Sequence, residues 1–531
     1  MMKRVTYILF IVAVTMFTAC SSDYLDTTPE QYIDKNTVFS STDGVQKAMN
    51  GLNELMATLR HTSHVSGAAY SGEGGIKQLY GEYPGNDYYR YQTSWSVVYN
   101  SSYEESNTRS FDIYPWYYYY TLIRNANLII CNIDYGKESS EAGINQLKFY
   151  KAEALTYRAY SFFMLSQLYS RRWSEGNGNQ RGVILYTDDL KIAKGCSTLK
   201  ETYGQIYKDL NDAIILYKES GINRGATDNT SPDLSVAYAI YARAALTRED
   251  WSVAAQYAAL AKAGYPLMNN EQYCAGFNSI NSEWIWSVYQ DAAISSISYF
   301  YYMGSDTKYS AMYQRSGCIS KELYVKIPPT DMRRTLFLDP TGYSYNTSIG
   351  YATSATTTLL DYGRAKLKDK LYVDASGNVN TFIYAYMQVK MYSEDGGGYL
   401  GHLNLIRSAE MYLTEAEAYC HLEREDEARQ LLIALNKTSG RNPEYTCALK
   451  GKELLDEIKL YRRIELWGEG FNWFDYKRWG DTIVRHTDKD GGNFHSTLAI
   501  TLRPEDSNHW TWVIPKEETD YNPNVTTFEN E

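Results

Sequence analysis

Beyond residue 20, the sequence lacks any run approaching the roughly 20 consecutive apolar residues that a membrane-spanning helix requires. Its longest apolar blocks, such as 128–131 and 431–435, give way to polar residues within a turn or two. This interruption is typical of one face of a packed helix. We therefore expect a soluble body with no membrane span after the N-terminal segment.

The sequence also lacks an excess of basic residues. It contains 52 Lys and Arg against 63 Asp and Glu, for a formal net charge of -11, and its pI is near 5.3. An acidic surface repels phosphate groups, which disfavours nucleic acid and anionic lipid as partners.

Cysteine is scarce and shows none of the spacings that metal or redox sites use. Seven cysteines occur in the chain, and no C-x-x-C pair is present, which argues against a zinc site and a redox dithiol. We expect most of the six that follow Cys20 to be buried thiols, and the sequence alone assigns no disulfide. These six are Cys131, Cys196, Cys274, Cys318, Cys420 and Cys447.

Residues 1–20 have the pattern of a lipoprotein signal peptide. Lys3 and Arg4 supply positive charge, residues 7–16 form an apolar stretch too short to span a bilayer, and Phe-Thr-Ala-Cys ends at Cys20. We predict that residues 1–19 are removed and that Cys20 carries the lipid that tethers the protein to a membrane. The alternative is an ordinary secreted protein whose signal happens to end near a cysteine.

Tyrosine is the strongest compositional outlier, with 52 among 531 residues. Each ring buries a large apolar face and keeps a hydroxyl for water or ligand, which suits both helix packing and ligand recognition. Where tyrosines recur at helical spacing, as in Tyr238 and Tyr241 or Tyr412 and Tyr419, we expect core packing.

Two tyrosine clusters lie in loops. Pro84, Gly85 and Asn86 forbid a regular helix around the first, and we expect its rings to face outward. Its members are Tyr83, Tyr88, Tyr89 and Tyr91. The second cluster covers 299–302 and continues to Tyr309 and Tyr313.

Helical periodicity dominates the chain, and the helices come in adjacent pairs. The segments 237–246 and 251–260 are joined by a short polar turn and carry small residues where two helices must approach. Segments 407–421 and 426–436 repeat this arrangement, and such hairpins are similar to tetratricopeptide repeats. Two longer helices are predicted at about 113–134 and 141–169.

Between residues 284 and 390, the helical period gives way to short β-like runs, such as 284–289 and 382–391, within Gly/Ser/Thr-rich loops. No linker of Pro, Gly, Ser or charge blocks divides the chain after residue 36, although a prior of about 150 residues per domain suggests several domains. The sequence therefore predicts a spacer at 20–36 and a single, mainly α domain at 37–531, with a loop-rich insertion at about 265–400. Function tends to concentrate in such insertions.

Four segments together resemble the SusD/RagB family of outer-membrane lipoproteins that bind nutrients. They are the lipobox ending at Cys20, the helix at 158–169, the helix at 407–418 and the run at 462–478, and the family's short strand ending in Ile-Pro is similar to 512–516. One departure is Asn472, where the family commonly has Arg. We interpret the charged and aromatic residues of 462–479 as packing, with ion pairs along and between helices.

The resemblance implies a binding protein without catalysis, which lies as a lid on a SusC-like, TonB-dependent outer-membrane transporter at the cell exterior. It further implies that an arc of aromatic rings on the loop-rich face holds a glycan, with the lipid anchor as the only membrane contact and no cofactor. Sugar C–H faces stack on aromatic rings, and sugar hydroxyls pair with amides and charged groups. The candidate ligand-binding residues are Asn86, Asp87, Tyr88, Tyr89, Arg90, Tyr91, Trp95, Tyr299, Tyr301, Tyr302, Tyr309 and Tyr313.

Other motifs carry less weight. The G-x-G-x-x-G at 396–401 follows an extended run and precedes a predicted helix, but no βαβ unit follows, so we expect no dinucleotide site. His61 and His64 lack further metal ligands. Glu415 and Glu417 resemble surface charge rather than a glycosidase pair, as do Glu104 and Glu105.

Two alternatives to glycan capture remain open from the sequence. The same architecture could capture peptides, as in the family's peptide-importing branch. An anchored glycoside hydrolase is the third class, although no isolated acidic pair lies in a recognisable catalytic arrangement.

Overall fold

The computed structural model describes residues 35–58, 72–90, 98, 100, 108, 110–189, 192–224, 228–290, 316–348, 350–352, 357–371, 382–392, 401–506 and 510–525. The predicted signal peptide and Cys20, together with His61, His64, Glu104 and Glu105, lie outside these residues.

The described residues form many helices and a few short strands. The α-helices are α1 Lys35–Val38, α2 Thr42–Thr58, α3 Gly72–Ile76, α4 Ser110–Asn132, α5 Glu141–Tyr169, α6 Leu199–Ser220, α7 Leu234–Thr247, α8 Trp251–Ala261, α9 Asn270–Tyr273, α10 Lys321–Tyr324, α11 Thr357–Lys366, α12 Ser408–His421, α13 Glu425–Ile433, α14 Gly451–Glu465, α15 Asn472–Trp479 and α16 Lys516–Tyr521. The strands are β1 Tyr88–Arg90, β2 Arg181–Ile184, β3 Cys196–Thr198, β4 Trp284–Gln290, β5 Gly317–Ile319, β6 Tyr351–Ala352, β7 Ile383–Tyr384, β8 Gly401–Arg407, β9 Ile483–Val484 and β10 Thr501–Leu502. Two π-helical segments, Lys77–Glu82 and Ala434–Thr438, continue α3 and α13.

The long helices build a scaffold of antiparallel hairpins. Helices α4 to α8 pack one against the next, and α8 packs against α12, which pairs in turn with α13 and α14. The predicted hairpins α7–α8 and α12–α13 and the two long helices α4 and α5 are therefore confirmed. Because α8 and α12 are neighbours in space, the residues between them form an insertion that leaves the scaffold and returns to it.

Local signals explain where the scaffold helices begin and end. Ser140 caps α5 by accepting a hydrogen bond from the Gly143 N–H at 3.0 Å. Thr198 and Glu201 form a reciprocal capping box at the start of α6. Helix α6 stops at Gly221, whose φ of 63° is accessible to glycine without strain.

Small residues and rings fill the hairpin interfaces. Tyr241 of α7 stacks on Tyr257 of α8 with ring centroids 4.0 Å apart, beside fully buried alanines of both helices. Tyr238 is buried as well, whereas Tyr412 and Tyr419 are half-buried. The core-packing prediction is thus confirmed for α7 and holds only partly for α12.

Arg158 shows how a polar residue stabilises the scaffold. Its guanidinium donates to both carboxylate oxygens of Asp209 on α6, at 2.8 and 2.6 Å, and to the Asn127 side chain on α4 at 2.8 Å. All three side chains are buried. This fork-shaped pairing ties three consecutive scaffold helices together.

The strands pair two by two, and every pair of named strands in the described residues is antiparallel. Strand β8 begins at Gly401, pairs with β4 and runs directly into α12. The element after the Gly-rich motif is therefore an antiparallel strand and not the predicted helix, and this arrangement is unlike a dinucleotide-binding βαβ unit.

Two of the predicted strands differ from the expectation. Only Ile383–Tyr384 of the run 382–391 is a strand, with isolated bridges at Met387 and Gln388. Residues 512–515 form no regular strand, although the Trp512 N–H donates to the Leu168 carbonyl at 2.8 Å. Pro515 has no N–H to extend that pairing.

Buried carboxylates correct one expectation. Glu415 and Glu417 are buried and do not form surface charge. The Glu417 carboxylate accepts hydrogen bonds from Arg478 at 2.5 and 2.8 Å and from the Trp479 indole at 2.9 Å. Burial alone would raise its pKa, but Arg478 outweighs burial and holds the pKa of Glu417 at about 2.

The cysteines also differ from the expectation. Cys318 is buried, Cys131 is exposed, and the other four are only partly covered. The prediction that most are buried thiols is therefore wrong, because these five side chains lie near helix ends, in connections or at the start of β3 rather than in helix interfaces.

No described helix combines the length and the apolar character needed to cross a bilayer.

Candidate ligand-binding face

Strand pairing joins the two segments in which aromatic ligand contacts were predicted. Arg90, the last residue of β1, lies opposite Gly317, the first residue of β5. The chain continues from Arg90 into residues 91–97, and residues 299–316 lead into Gly317. The chain segments that carry Tyr91 and Trp95 on one side, and the second tyrosine cluster on the other, are therefore attached at one end of the same two-stranded sheet.

A second two-stranded sheet contains the residue that precedes segment 291–315. Gln290, the last residue of β4, lies opposite Gly401, the first residue of β8. Residues 291–315 therefore begin beside Gly401 and end beside Arg90. The described residues on both sides of this segment belong to antiparallel strand pairs.

Five of the candidate ligand-binding residues lie in the described part of this face, and all five are buried: Asn86, Asp87, Tyr88, Tyr89 and Arg90. Tyr83 is buried too. The expectation that the rings of Tyr83, Tyr88 and Tyr89 face outward is therefore wrong.

Ring packing explains this burial. Tyr88 is stacked between Tyr83 and Trp467, with centroid distances of 5.7 and 5.2 Å, and Trp467 meets Phe337 edge-on at 4.9 Å. We call Tyr83, Tyr88, Trp467 and Phe337 the aromatic floor. Burial raises the pKa of Tyr88 well above its usual value, so the hydroxyl stays neutral at physiological pH.

Asp87 and Asn86 hold the floor to the C-terminal helices. The Asp87 carboxylate accepts hydrogen bonds from Arg463 at 2.8 and 2.6 Å and from the Asn472 amide at 2.5 Å. The Asn86 N–H donates to the Asn472 side-chain oxygen, and the Asn86 side chain accepts from the Val484 N–H at 2.9 Å. Asn472, the departure from the family pattern, thus bridges the two candidate residues.

Arg90 and Tyr89 complete the described part of this segment. The Arg90 guanidinium donates to the Tyr83 hydroxyl. The Tyr89 ring meets the Phe494 ring edge-on, at a centroid distance of 5.5 Å. In this arrangement both side chains pack within the protein beside the aromatic floor.

The remaining candidates lie outside the described residues. They are Tyr91, Trp95, Tyr299, Tyr301, Tyr302, Tyr309 and Tyr313.

Two exposed aromatic positions were not among the sequence candidates. Tyr289, near the end of β4, is 47% exposed, and its ring lies 4.8 Å from the His402 ring on β8. Burial lowers the pKa of His402, which favours the neutral imidazole. Tyr343 stacks on Tyr362 at 4.0 Å. The end of an aromatic strand beside a long loop was the sequence signal that could have identified Tyr289.

A network of buried charges lies next to the floor, in the 462–478 segment and its neighbours. Its members, all at most 2% exposed, are Glu283, Asp331, Arg333, Lys390, Arg407, Arg441, Glu465 and Glu469. Four are acidic and four are basic, so the network is neutral when all are charged. The predicted ion pairs of this segment are confirmed, including Arg462 to Asp475 at 2.7 Å.

The described residues contain no group of three or more His, Cys, Asp or Glu side chains arranged to hold a metal ion.

The described residues form a scaffold of helical hairpins that carries a loop-rich insertion. Residues 254–530 match the family model described as the SusD family, and residues 23–246 match one described as starch-binding, associating with the outer membrane. The first match covers more than half of the chain, and the chain therefore belongs to the SusD family. No curated protein sequence matches it.

Solved structures agree with this assignment at the level of the fold. A SusD-like carbohydrate binding protein from Bacteroides vulgatus is 24% identical, with a TM-score of 0.71 over 91% of this chain and 97% of that one. A SusD superfamily protein from Bacteroides thetaiotaomicron is 22% identical, with a TM-score of 0.70 over 92% and 100% of the two chains. The predicted SusD-like fold class is confirmed.

Proposed function

We propose that this protein is a non-catalytic, lipid-anchored receptor that binds oligosaccharide or polysaccharide at the outer membrane and delivers it to a SusC-like, TonB-dependent transporter. Family membership supports this function, as does the family description of starch binding in association with the outer membrane. The observation that carries it is the pairing of Arg90 with Gly317, which joins both aromatic segments at one end of a sheet.

The geometry favours ligand binding without catalysis. Glu415 and Glu417, the acidic pair considered above that the structure describes, are buried and held by Lys262, Arg478 and Trp479. Arg478 keeps Glu417 ionised, so it has no proton to donate to a glycosidic oxygen. A receptor needs only rings that stack on sugar faces and polar groups that fix hydroxyls. Incubation of the purified protein with starch should release no new reducing ends.

The ligand site is tested by removing rings from the two joined segments. We expect a variant in which Tyr91, Trp95, Tyr301 and Tyr309 are all replaced by Ala to lose retention in a native gel that contains starch. A control, Tyr412→Ala, removes a ring from scaffold helix α12 and should keep retention. Thermal denaturation checks that both variants are folded.

Unchanged retention in the folded quadruple variant would exclude the two segments as the ligand site. Retention of peptides instead of glycans, in a parallel binding panel, would support peptide capture.

Membrane attachment rests on Cys20. We expect Cys20→Ala to move the protein from the membrane fraction to the soluble fraction, because the acyl chains that hold it are then absent. Protease added to whole cells should degrade the wild type if it faces the exterior. Co-purification of a TonB-dependent barrel with the affinity-tagged wild type tests the delivery step.

A further inference from the structure

A separate groove of about 540 Å³ lies between helix α4, the residues that follow β2, and the C-terminal helix α16. This volume is in the range of small-molecule sites. We call it the aromatic groove, after the four tyrosines that line it: Tyr117 and Tyr120 of α4, Tyr186, and Tyr521 of α16. None of its lining residues belongs to the loops or sheets of the candidate ligand-binding face.

The rings of the aromatic groove are accessible. Tyr521 is 86% exposed, and Tyr117, Tyr120 and Tyr186 are half-buried. Tyr120 and Tyr186 meet edge-on at 5.7 Å, and the buried Trp116 supports Tyr120 from below at 4.8 Å. Exposed ring faces of this kind are what the C–H faces of a sugar stack on.

The walls of the groove are fixed by hydrogen bonds. The Tyr120 hydroxyl donates to the Ile184 carbonyl at 3.0 Å and accepts from the Ile184 N–H at 2.8 Å. The Asn522 amide, which follows α16, donates to the Lys194 carbonyl at 2.9 Å. The Tyr120 ring and the end of α16 are therefore held in place before any ligand binds, which lowers the entropic cost of binding.

The charges at the rim favour a neutral ligand with hydroxyl groups. Four carboxylates, those of Asp188, Asp189, Glu517 and Glu518, face a single lining cation, Arg124. This excess of negative charge disfavours anionic ligands. Asp188 and Asp189 are already paired with Lys194 and Lys35, so the rim does not demand a cation either.

Arg124 supplies a donor for such a ligand. It is exposed on α4 and lines the aromatic groove. Its planar guanidinium can donate to two neighbouring hydroxyl groups at once.

The charge of the N-terminal spacer argues against that segment as the occupant. Residues 20–34 contain four acidic residues, Asp23, Asp26, Glu30 and Asp34, and no Lys or Arg. With Asp188 and Asp189 neutralised by Lys194 and Lys35, the rim keeps an excess of one negative charge over Arg124, which disfavours an acidic segment.

We propose that the aromatic groove is a second glycan-binding site, which takes a short stretch of a neutral oligosaccharide independently of the loop-rich face. The proposal rests on the glycan-binding function proposed above. Two sites on one rigid scaffold would let one chain hold a long glycan at two points, which strengthens retention without any new contact type.

Calorimetry on the full chain, purified in detergent, tests the second site. Maltoheptaose, xylohexaose and mannohexaose are titrated separately, and we expect two binding sites per chain for the glycan that binds. The double variant Tyr117→Ala and Tyr521→Ala should weaken one site by about 5- to 150-fold, because two ring contacts of about 0.5–1.5 kcal/mol each are lost. Tyr521→Phe keeps the ring and should preserve both sites.

An isoleucine pair provides a matched control. Ile192, which is 58% exposed, lines the aromatic groove, whereas Ile215, which is 54% exposed, lies on α6 outside it. We expect Ile192→Ala to weaken the second site and Ile215→Ala to leave both sites unchanged. Hydroxyl-radical footprinting of the wild type supplies a readout without any variant, because bound glycan should protect Tyr521 from oxidation.

The outcomes separate this proposal from the proposed function. One site per chain, unaffected by the groove variants and lost in the loop quadruple variant, would overturn the groove and leave the receptor function in place. Two sites, of which the groove variants remove one and the loop variant the other, would support both. Binding of none of the three glycans would count against both proposals.

Discussion

Glu73 is a carboxyl group with no exposed surface, at the start of helix α3. The Tyr160 hydroxyl donates to it at 2.8 Å, but burial outweighs this hydrogen bond and raises the pKa of Glu73 to about 7 from its usual 4.5. Between these two pH values the folded protein keeps a proton that the unfolded chain releases. Stability contributed by protonated Glu73 is therefore present below about pH 4.5 and lost as the pH rises through 7.

Glu73→Gln removes this titration, because an amide has nearly the shape of a protonated carboxyl group and does not ionise. We expect the free energy of unfolding of the variant, relative to that of the wild type, to rise by about 3 kcal/mol between pH 5 and pH 8. Urea denaturation at the two pH values measures it, with the pH 5 comparison as the internal control. A difference that does not change with pH would contradict the prediction.

Asn472 stands where the family commonly has Arg, and its amide forms hydrogen bonds in both directions. Its side chain accepts from the Asn86 N–H and donates to Asp87, while Arg463 neutralises the Asp87 carboxylate. Asp87 is thus neutralised by Arg463 of α14, while residue 472 contributes an amide where the family commonly has Arg. The amide lies close beside Gly85, since a Cβ added at Gly85 would lie 2.8 Å from Cγ of Asn472.

At the scale of elements, the β1–β5 pair links the two aromatic segments, and Gly317 is its tightest point. A Cβ added at Gly317 would lie 2.6 Å from Cζ of Tyr88, closer than a carbon contact allows. Tyr88 has little room to move, because it is stacked between Tyr83 and Trp467.

We expect Gly317→Ala to destabilise the protein by about 1–3 kcal/mol through overpacking, and to weaken glycan retention because the two segments then lose their common base. The matched control is Gly51→Ala in the interior of α2, where an added Cβ meets nothing within 4 Å. That change should be neutral or stabilising, because alanine favours a helix over glycine. Thermal denaturation and the affinity gel measure both effects; equal melting temperatures for the two variants would contradict this account.

The elements that sequence predicted well are those whose signals are local. Helices α4, α5, α7 and α8 follow from spacing within one segment, since apolar and small residues recur on one face. The burial of Tyr88 could not be predicted in this way. It depends on Gly317 and Trp467, which are more than 200 residues away in the chain. The ionisation of Glu417 likewise depends on a distant partner, Arg478 on α15, which is 61 residues away.

The same difference between local and long-range signals applies to the candidate site. Sequence identified the two tyrosine-rich segments, and strand pairing of Arg90 with Gly317 joins them. The sequence could not distinguish rings that pack in the aromatic floor from rings available to a ligand. That distinction depends on contacts with α14 and with the insertion. Tyr289 was missed for the same reason: its exposure depends on how β4 ends against β8.

At the scale of the whole molecule, the buried charge network ties the insertion to the scaffold. Asp331, Arg333 and Lys390 belong to the insertion, whereas Arg441, Glu465 and Glu469 follow the return of the chain at Arg407. Burial alone would raise the pKa of Glu469, but Arg407 and Lys390 outweigh burial and hold it at about 2. Its contribution to stability is present above about pH 4.5 and lost as the pH falls through 2.

Arg407 is the centre of this network. Its guanidinium donates to Glu283 at 2.6 Å, to Glu465 at 2.7 Å and to both carboxylate oxygens of Glu469 at 2.7 and 2.8 Å. These carboxylates are buried, so removal of the cation leaves excess negative charge without solvent to screen it. Removal of Arg407 would therefore destabilise the contact between the insertion and the scaffold.

We expect Arg407→Met, which keeps much of the side-chain volume, to lower the free energy of unfolding by about 3–5 kcal/mol, measured by chemical denaturation. Arg424→Met is the control: Arg424 pairs with Glu427 at 2.7 Å on the surface, and both side chains are 48% exposed. Water replaces that partner when it is removed, so the control should denature like the wild type. If both variants behaved alike, the buried network would not be what joins the binding face to its scaffold, and the aromatic floor together with the β4–β8 pair would have to hold the insertion in place.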